Sequence, residues 1–181
     1  MKSPLYSSVT MEQREIEPGL VVYRCPKSEG IWISLQSYLA WLKSGPPAGS
    51  TGNESAITAQ VDDAKRQPLF CPESGSMLAR YRVGHALGFQ IDRSPVTGGV
   101  WLDKGEWEAL KAKGLHDDLH LIFTAPYQKA IRAASLQEQM IASFKERVGE
   151  ADFEKVDAFK GWMASHEQGR AIRAFLLEAE L

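Results

Sequence analysis

The chain of 181 residues is 44% hydrophobic and 24% charged, the profile of a globular protein of one or two domains with enough apolar side chains for a sizeable core. Its formal charge of -2, from 21 basic and 23 acidic residues, withholds the overall basic field that non-specific nucleic-acid binding favours. No run of about 18 apolar residues can span a bilayer, residues 1–6 carry no apolar leader core, and two cysteines are too few for a disulfide framework, so the chain reads as cytoplasmic, with no membrane partner.

Self-similarity organises the first two thirds. Residues 24–33, Arg-Cys-Pro-Lys-Ser-Glu-Gly-Ile-Trp-Ile, fall on residues 93–102, Arg-Ser-Pro-Val-Thr-Gly-Gly-Val-Trp-Leu, at an offset of 69, with Arg, Pro, Gly and Trp coincident. The same offset pairs Gly19 with Gly88, Ser34 with Asp103 and Ala40 with Ala109, and an offset of 68 lays Ser3-Pro4-Leu5-Tyr6 on Cys71-Pro72-Glu73-Ser74. Two tandem repeats follow, at 1–44 and 68–114. In repeat 1, Ser34 is placed to cap a helix through Tyr38, Trp41 and Leu42. A Gly-, Pro- and Ser-rich stretch that cannot bury a face reads as a flexible linker over 45–67.

In repeat 2, alternation over 77–83 and 89–92, with Gly84 and Gly88 between, predicts a β-hairpin. Asp103-Lys104-Gly105-Glu106 has the spacing of a capping box and opens a helix through Trp107, Leu110 and Lys111. Beyond 115 the period is helical throughout. A long helix starts near Thr124 and stops at Gly149, with Leu136, Met140 and Phe144 on one stripe. A second begins at Asp152 with Phe153, Val156, Phe159 and Trp162, and Ser165-His166-Glu167-Gln168 has a capping-box pattern before a third. The expected fold is α+β: two small ribbon-like hairpin modules, each followed by a helix, packed with a C-terminal bundle of three helices at 115–181. The stripe of the long helix is expected to cover Tyr81, Phe89, Ile91, Trp101 and Trp107.

Cys71-Pro72-Glu73-Ser74-Gly75, the hairpin, and then Arg93-Ser94-Pro95-Val96-Thr97-Gly98-Gly99-Val100-Trp101-Leu102-Asp103-Lys104-Gly105-Glu106 resemble the bacterial transcription factor IIB-type zinc ribbon. That family has two Cys-Pro-x-Cys knuckles around a hairpin and a Gly-Gly-x-Trp-Leu-Asp-x-Gly-Glu tail. The resemblance covers about two fifths of the chain and leaves 115–181 unassigned. It puts the former metal-ligand positions on Ser3, Tyr6, Cys25 and Ser28 in repeat 1 and on Cys71, Ser74, Ser94 and Thr97 in repeat 2. One thiol per site cannot hold structural zinc, so no metal and no other cofactor is expected. Pro and the hydroxyls can keep the turns closed without it.

Other residue types with chemical potential have structural roles to fill. Cys25 and Cys71 read as buried relics in preference to a joint or redox site. His85, His116 and His120 read as solvated in preference to a metal pair. Trp32, Trp41, Trp101 and Trp107 read as core in preference to base-stacking platforms. Arg80 and Arg82 share a strand face and form a possible interaction surface. With no catalytic constellation, the functional expectation is a non-catalytic protein-interaction or adaptor module. The alternatives are a nucleic-acid-binding or transcription-related accessory protein and a cysteine-dependent enzyme using Cys71 with His120.

Overall fold

A computed structural model describes residues 1–45, 67–84 and 87–178. Most of the expected linker, and His85, lie outside the described residues. The described chain is a mixed α and β protein with one antiparallel six-stranded sheet and six helices: β1 (Glu12–Glu17), β2 (Leu20–Arg24), β3 (Ile31–Ile33), α1 (Leu35–Ser44), β4 (Ala79–Gly84), β5 (Leu87–Arg93), β6 (Val100–Leu102), α2 (Glu106–Ala112), α3 (Leu119–Ile122), α4 (Ala125–Val148), α5 (Glu150–Ser165) and α6 (Gly169–Glu178). It divides into two compact units, Met1–Ile131 and Arg132–Leu181.

The strand order β1-β2-β3-β6-β5-β4 makes one sheet of the two repeats, not two separate modules. They join where β3 pairs with β6, in the register Ile31 with Leu102, Trp32 with Trp101 and Ile33 with Val100. Since 32 and 101 differ by the repeat offset, a local two-fold passes between the two tryptophans and exchanges the repeats. The irregularities obey it too: β1 shifts register between Glu15 and Glu17 opposite β2, and β4 shifts between Arg82 and Gly84 opposite β5.

Alternation on the central strands feeds two cores. On one face Val22, Ile33, Ile91, Val100 and Leu102 meet Tyr38 and Trp41 of α1, Trp107 and Leu110 of α2, and Leu119 and Ile122 of α3. On the other face Trp32, Trp101, Cys25, Cys71, Met11 and Leu78 form a second cluster. Trp101 therefore points away from Phe89 and Ile91, contrary to the single apolar face expected for repeat 2. Nor does the α4 stripe form a buried face, since Leu136 and Met140 are exposed. The helix-side cover of repeat 2 comes from earlier in the chain, with Leu119 and Ile122 buried, Tyr127 donating to the Val83 carbonyl at 2.7 Å, and Gln128 donating to those of Arg82 and Ile122 at 2.8 Å. The first unit accordingly runs past the boundary expected at 115, as far as Ile131.

The caps fall out unequally. Ser34 caps α1, its hydroxyl accepting from the Ser37 amide at 3.1 Å. At α2 only half of the capping box forms: Glu106 reaches back to the Asp103 amide at 2.7 Å, whereas the Asp103 carboxylate accepts from the Trp101 indole at 2.8 Å. Ser165 does not cap α6; its hydroxyl donates back to the Trp162 carbonyl at 3.0 Å, and the Gln168 amide is taken by His166 Nδ1.

In the second unit Phe144 and Phe153 meet edge to face at 6.3 Å, while Lys145 lies over the Phe153 ring and bridges to Glu150 at 2.6 Å. Neither α5 nor α6 buries a residue. No helix of the described residues is long and apolar enough to cross a membrane.

Candidate functional site

The eight positions singled out in the sequence sit in four turns; the fold draws Cys71, Ser74, Ser94 and Thr97 together in repeat 2, and Cys25, Ser28 and Ser3 together in repeat 1, where Tyr6 shares the turn of Ser3. Each turn is closed by its own backbone. Residue 25 donates to the Gly30 carbonyl and accepts from Glu29, both at 2.8 Å. Ser94 repeats the pattern with Gly99 at 2.8 Å and Gly98 at 3.0 Å, and Cys71 does so with Ser76 at 2.7 Å and Gly75 at 2.8 Å.

In repeat 2 the centre is Cys71 Sγ. It accepts from the Ser74 amide at 3.4 Å and lies 3.6 Å from Thr97 Oγ1. Ser94 is fully buried, and its hydroxyl oxygen accepts from the amides of Val96 at 3.3 Å and Thr97 at 3.1 Å. Burial pushes the Cys71 thiol up, but hydrogen bonds from Ser74, Ser94 and Thr97 outweigh it and leave the thiol below its ordinary value.

In repeat 1 the thiol is Cys25, in the place that Ser94 holds in repeat 2, and Ser3 stands where Cys71 does. Ser3 Oγ accepts from the amides of Leu5 at 3.3 Å and Tyr6 at 3.4 Å, and Ser28 Oγ from that of Gly30 at 3.3 Å. Here too burial raises the thiol and the hydroxyls of Ser28 and Ser3 bring it below the ordinary value. Tyr6 plays a different part, packing against the second cluster with Lys27 Nζ 4.1 Å above its ring.

These donor sets do not fit zinc. Each quartet offers a single thiol, and its serine and threonine oxygens already accept backbone amides, as cysteine sulfur does in a metal-bound knuckle. Among the described residues no group of three or more histidine, cysteine, aspartate or glutamate side chains is placed to hold a metal ion. Cys25 at 0% and Cys71 at 3% exposure are both free thiols, sealed from solvent under the Trp32 and Trp101 cluster. His120 lies beside Tyr38 on the helix face, with ring centroids 6.4 Å apart, so the fold does not bring it to Cys71.

The remaining candidates sort by burial. All four repeat tryptophans are core, as expected. Arg80 pairs through Nε with the buried carboxylate of Asp92 at 3.1 Å, and Arg82 lends its carbonyl to Gln128. His116 is buried, not solvated. Its ring is 5.9 Å from those of both Trp41 and Trp107, and burial holds it below the ordinary histidine value against the weaker upward pull of Asp117. Sequence reasoning missed Glu17, which accepts from the Trp107 indole at 3.2 Å and from Lys111 at 2.5 Å.

Exposed apolar side chains occur in both units, among them Phe70, Met77 and Val96 in the first, and they are most numerous in the second. Trp162 is 50%, Phe175 71% and Leu177 78% exposed, and Leu136, Met140, Val156 and Phe159 are exposed beside them in sequence. Comparison of the chain with family models, with curated proteins and with solved structures finds no match.

Proposed function

We infer that the chain is a non-catalytic protein-interaction or adaptor module of the cytoplasm, descended from tandem ribbons of the transcription factor IIB type that lost their metal ligands. In this reading each repeat is a hairpin module with its helix, and the C-terminal helices form a bundle whose apolar faces are completed by a partner protein. One observation carries it: α5 and α6 leave every residue exposed or half-buried, including a tryptophan and three phenylalanines. Short helices are marginal in water unless tertiary packing of an apolar face holds them. The internal hydroxyl–thiol turns support the same reading, because they serve closure of the fold and present no accessible nucleophile.

Nucleic-acid binding is the weaker alternative, since residues 115–181 hold 8 basic and 11 acidic side chains. The test is affinity capture from host extract with the full chain and with a Phe159→Ser, Trp162→Ser, Phe175→Ser variant, each after nuclease treatment. A protein retained by the first and lost from the second is the expected result. Recovery that vanishes with nuclease, or that survives the triple substitution, overturns the reading.

A further inference from the structure

The local two-fold of the first unit generates two clefts, each between the first turn of one repeat's helix and the second knuckle of the other. One is lined by Ser34, Leu35 and Tyr38 with Arg93, Gly98 and Val100; the other by Asp103, Lys104 and Trp107 with Arg24, Glu29 and Ile31. Each residue of the first set differs from its counterpart in the second by the offset of 69. The clefts have the same architecture and different contents.

The first cleft is plugged by the chain itself. The turn of α3 buries Leu119 and Ile122, and Phe123 follows it into the cleft mouth, with the Arg93 guanidinium 4.9 Å from its ring centroid and Tyr81 edge-on at 5.1 Å. About 40 Å³ is left. The second cleft keeps 410 Å³. The offset pairs Phe123 with Glu54, and the sequence from 46 to 66 contains no aromatic residue.

What stands around the open space narrows its occupant. Arg24 takes the position of Arg93. Arg14, which faces Val22 across the strands as Tyr81 faces Ile91, takes the position of Tyr81. Both arginines line the open cleft together with Glu15, Glu29, Asp103 and Glu108, and both are about half exposed or more, Arg14 paired with Glu12 at 2.8 Å and Arg24 with Glu29 at 3.6 Å, so that each keeps a guanidinium face for a ring. A ring seated where Phe123 sits in the other cleft meets two guanidinium groups, an arrangement that rewards tryptophan or tyrosine over an aliphatic side chain. A volume of this size lies within the range of pockets that take such a group.

We propose that the open cleft of repeat 1 receives one helical turn of a partner protein, anchored by a tryptophan or tyrosine between Arg14 and Arg24, as the chain's own Phe123 anchors the closed cleft. This rests on the reading of the chain as an interaction module but uses a surface separate from the exposed helices of the second unit, so either can fail alone. The probe is a labelled ten-residue peptide copying residues 115–124 with tryptophan in place of Phe123, titrated into the full chain and followed by fluorescence anisotropy. Saturable binding is expected, weakened at least about tenfold by Arg14→Glu or by alanine at the anchor of the peptide, and unchanged by Tyr81→Ala. A peptide that invades the closed cleft would show the reverse pattern, sensitive to Tyr81→Ala and indifferent to Arg14→Glu, and would overturn the proposal. So would the absence of saturable binding up to about 1 mM to a chain whose circular dichroism is native.

Discussion

Trp32 and Trp101 face each other across the β3–β6 pair, and each indole lies over the glycine two residues before the other, Trp101 on Gly30 and Trp32 on Gly99. A methyl group on either glycine would overlap the six-membered ring of the opposite indole. The Gly-x-Trp spacing, present in both repeats, is therefore a mutual packing device across the seam, with the backbone of one repeat forming the bed for the side chain of the other.

Gly30→Ala and Gly99→Ala should each destabilise the first unit by about 1 to 3 kcal/mol, the ordinary cost of overpacking a filled core. The two effects should be comparable because the sites are symmetry-related. Urea melts followed by tryptophan fluorescence measure both; a loss confined to one glycine would show that the two indoles are not equivalently seated.

The knuckles supply a metal prediction with two arms. A strong chelator should leave the melting temperature of the native chain unchanged. The combined substitution Ser74→Cys, Ser94→Cys, Thr97→Cys should gather four thiols around the place of Cys71 and bind one zinc per chain, stabilising by about 4 kcal/mol when zinc is a thousandfold above its Kd. Elemental analysis and calorimetry decide both arms. Zinc bound by the native chain, or refused by the triple variant, contradicts the geometry described.

A fragment ending at residue 131 should melt cooperatively, whereas one ending at 114 loses Leu119 and Ile122 and should be much less stable. In the full chain Leu119→Ala should cost the first unit about 2 to 5 kcal/mol, the range for emptying a buried leucine site. Phe144→Ala should leave that transition where it is. Thermal melts of the four proteins are the measurement.

His116 sets a pH dependence. Its folded-state value lies below the ordinary histidine value, so as pH falls through the region of 6.5 the unfolded chain takes up a proton that the folded chain refuses. Stability should therefore decline as pH drops from about 7.5 toward 5.5, and His116→Asn should flatten that slope. Equal slopes in the two proteins would locate the dependence elsewhere.

The repeat was legible in the sequence through the offset of 69, but the seam was not, because the offset does not say that β3 and β6 are adjacent; once they are, the register of Trp32 on Trp101 follows. The Ser34 cap and the start of α4 were legible too, because proline and hydroxyl side chains act locally, whereas Ser165 turns its hydroxyl back to the Trp162 carbonyl and α6 begins only at Gly169. What could not be read depends on which neighbour arrives first. Asp103 has the spacing of an N-cap, but the Trp101 indole needs a partner and takes its carboxylate. His116 has a polar side chain, but its segment is held by Tyr38, whose single hydroxyl hydrogen is shared between the carbonyls of residues 116 and 117 while its oxygen accepts from the Leu119 amide, so the ring goes inside with the backbone. Periodicity in α5 and α6 identified an apolar face without saying whether anything covers it. At the quartets, spacing identified the eight positions, and the division of labour between hydroxyl and thiol emerged only from the hydrogen bonds.

The β3–β6 register is that of an isologous contact. If a single repeat met a second copy of itself through this strand, tryptophan would oppose tryptophan and the flanking aliphatic residues would exchange places, as they do here within one chain. A symmetric homodimer of that kind must keep its two clefts identical, because any residue that plugs one plugs the other. Covalent fusion removes that constraint: the chain can spend one cleft on its own stability, as Phe123 does, and leave its twin open for a different use.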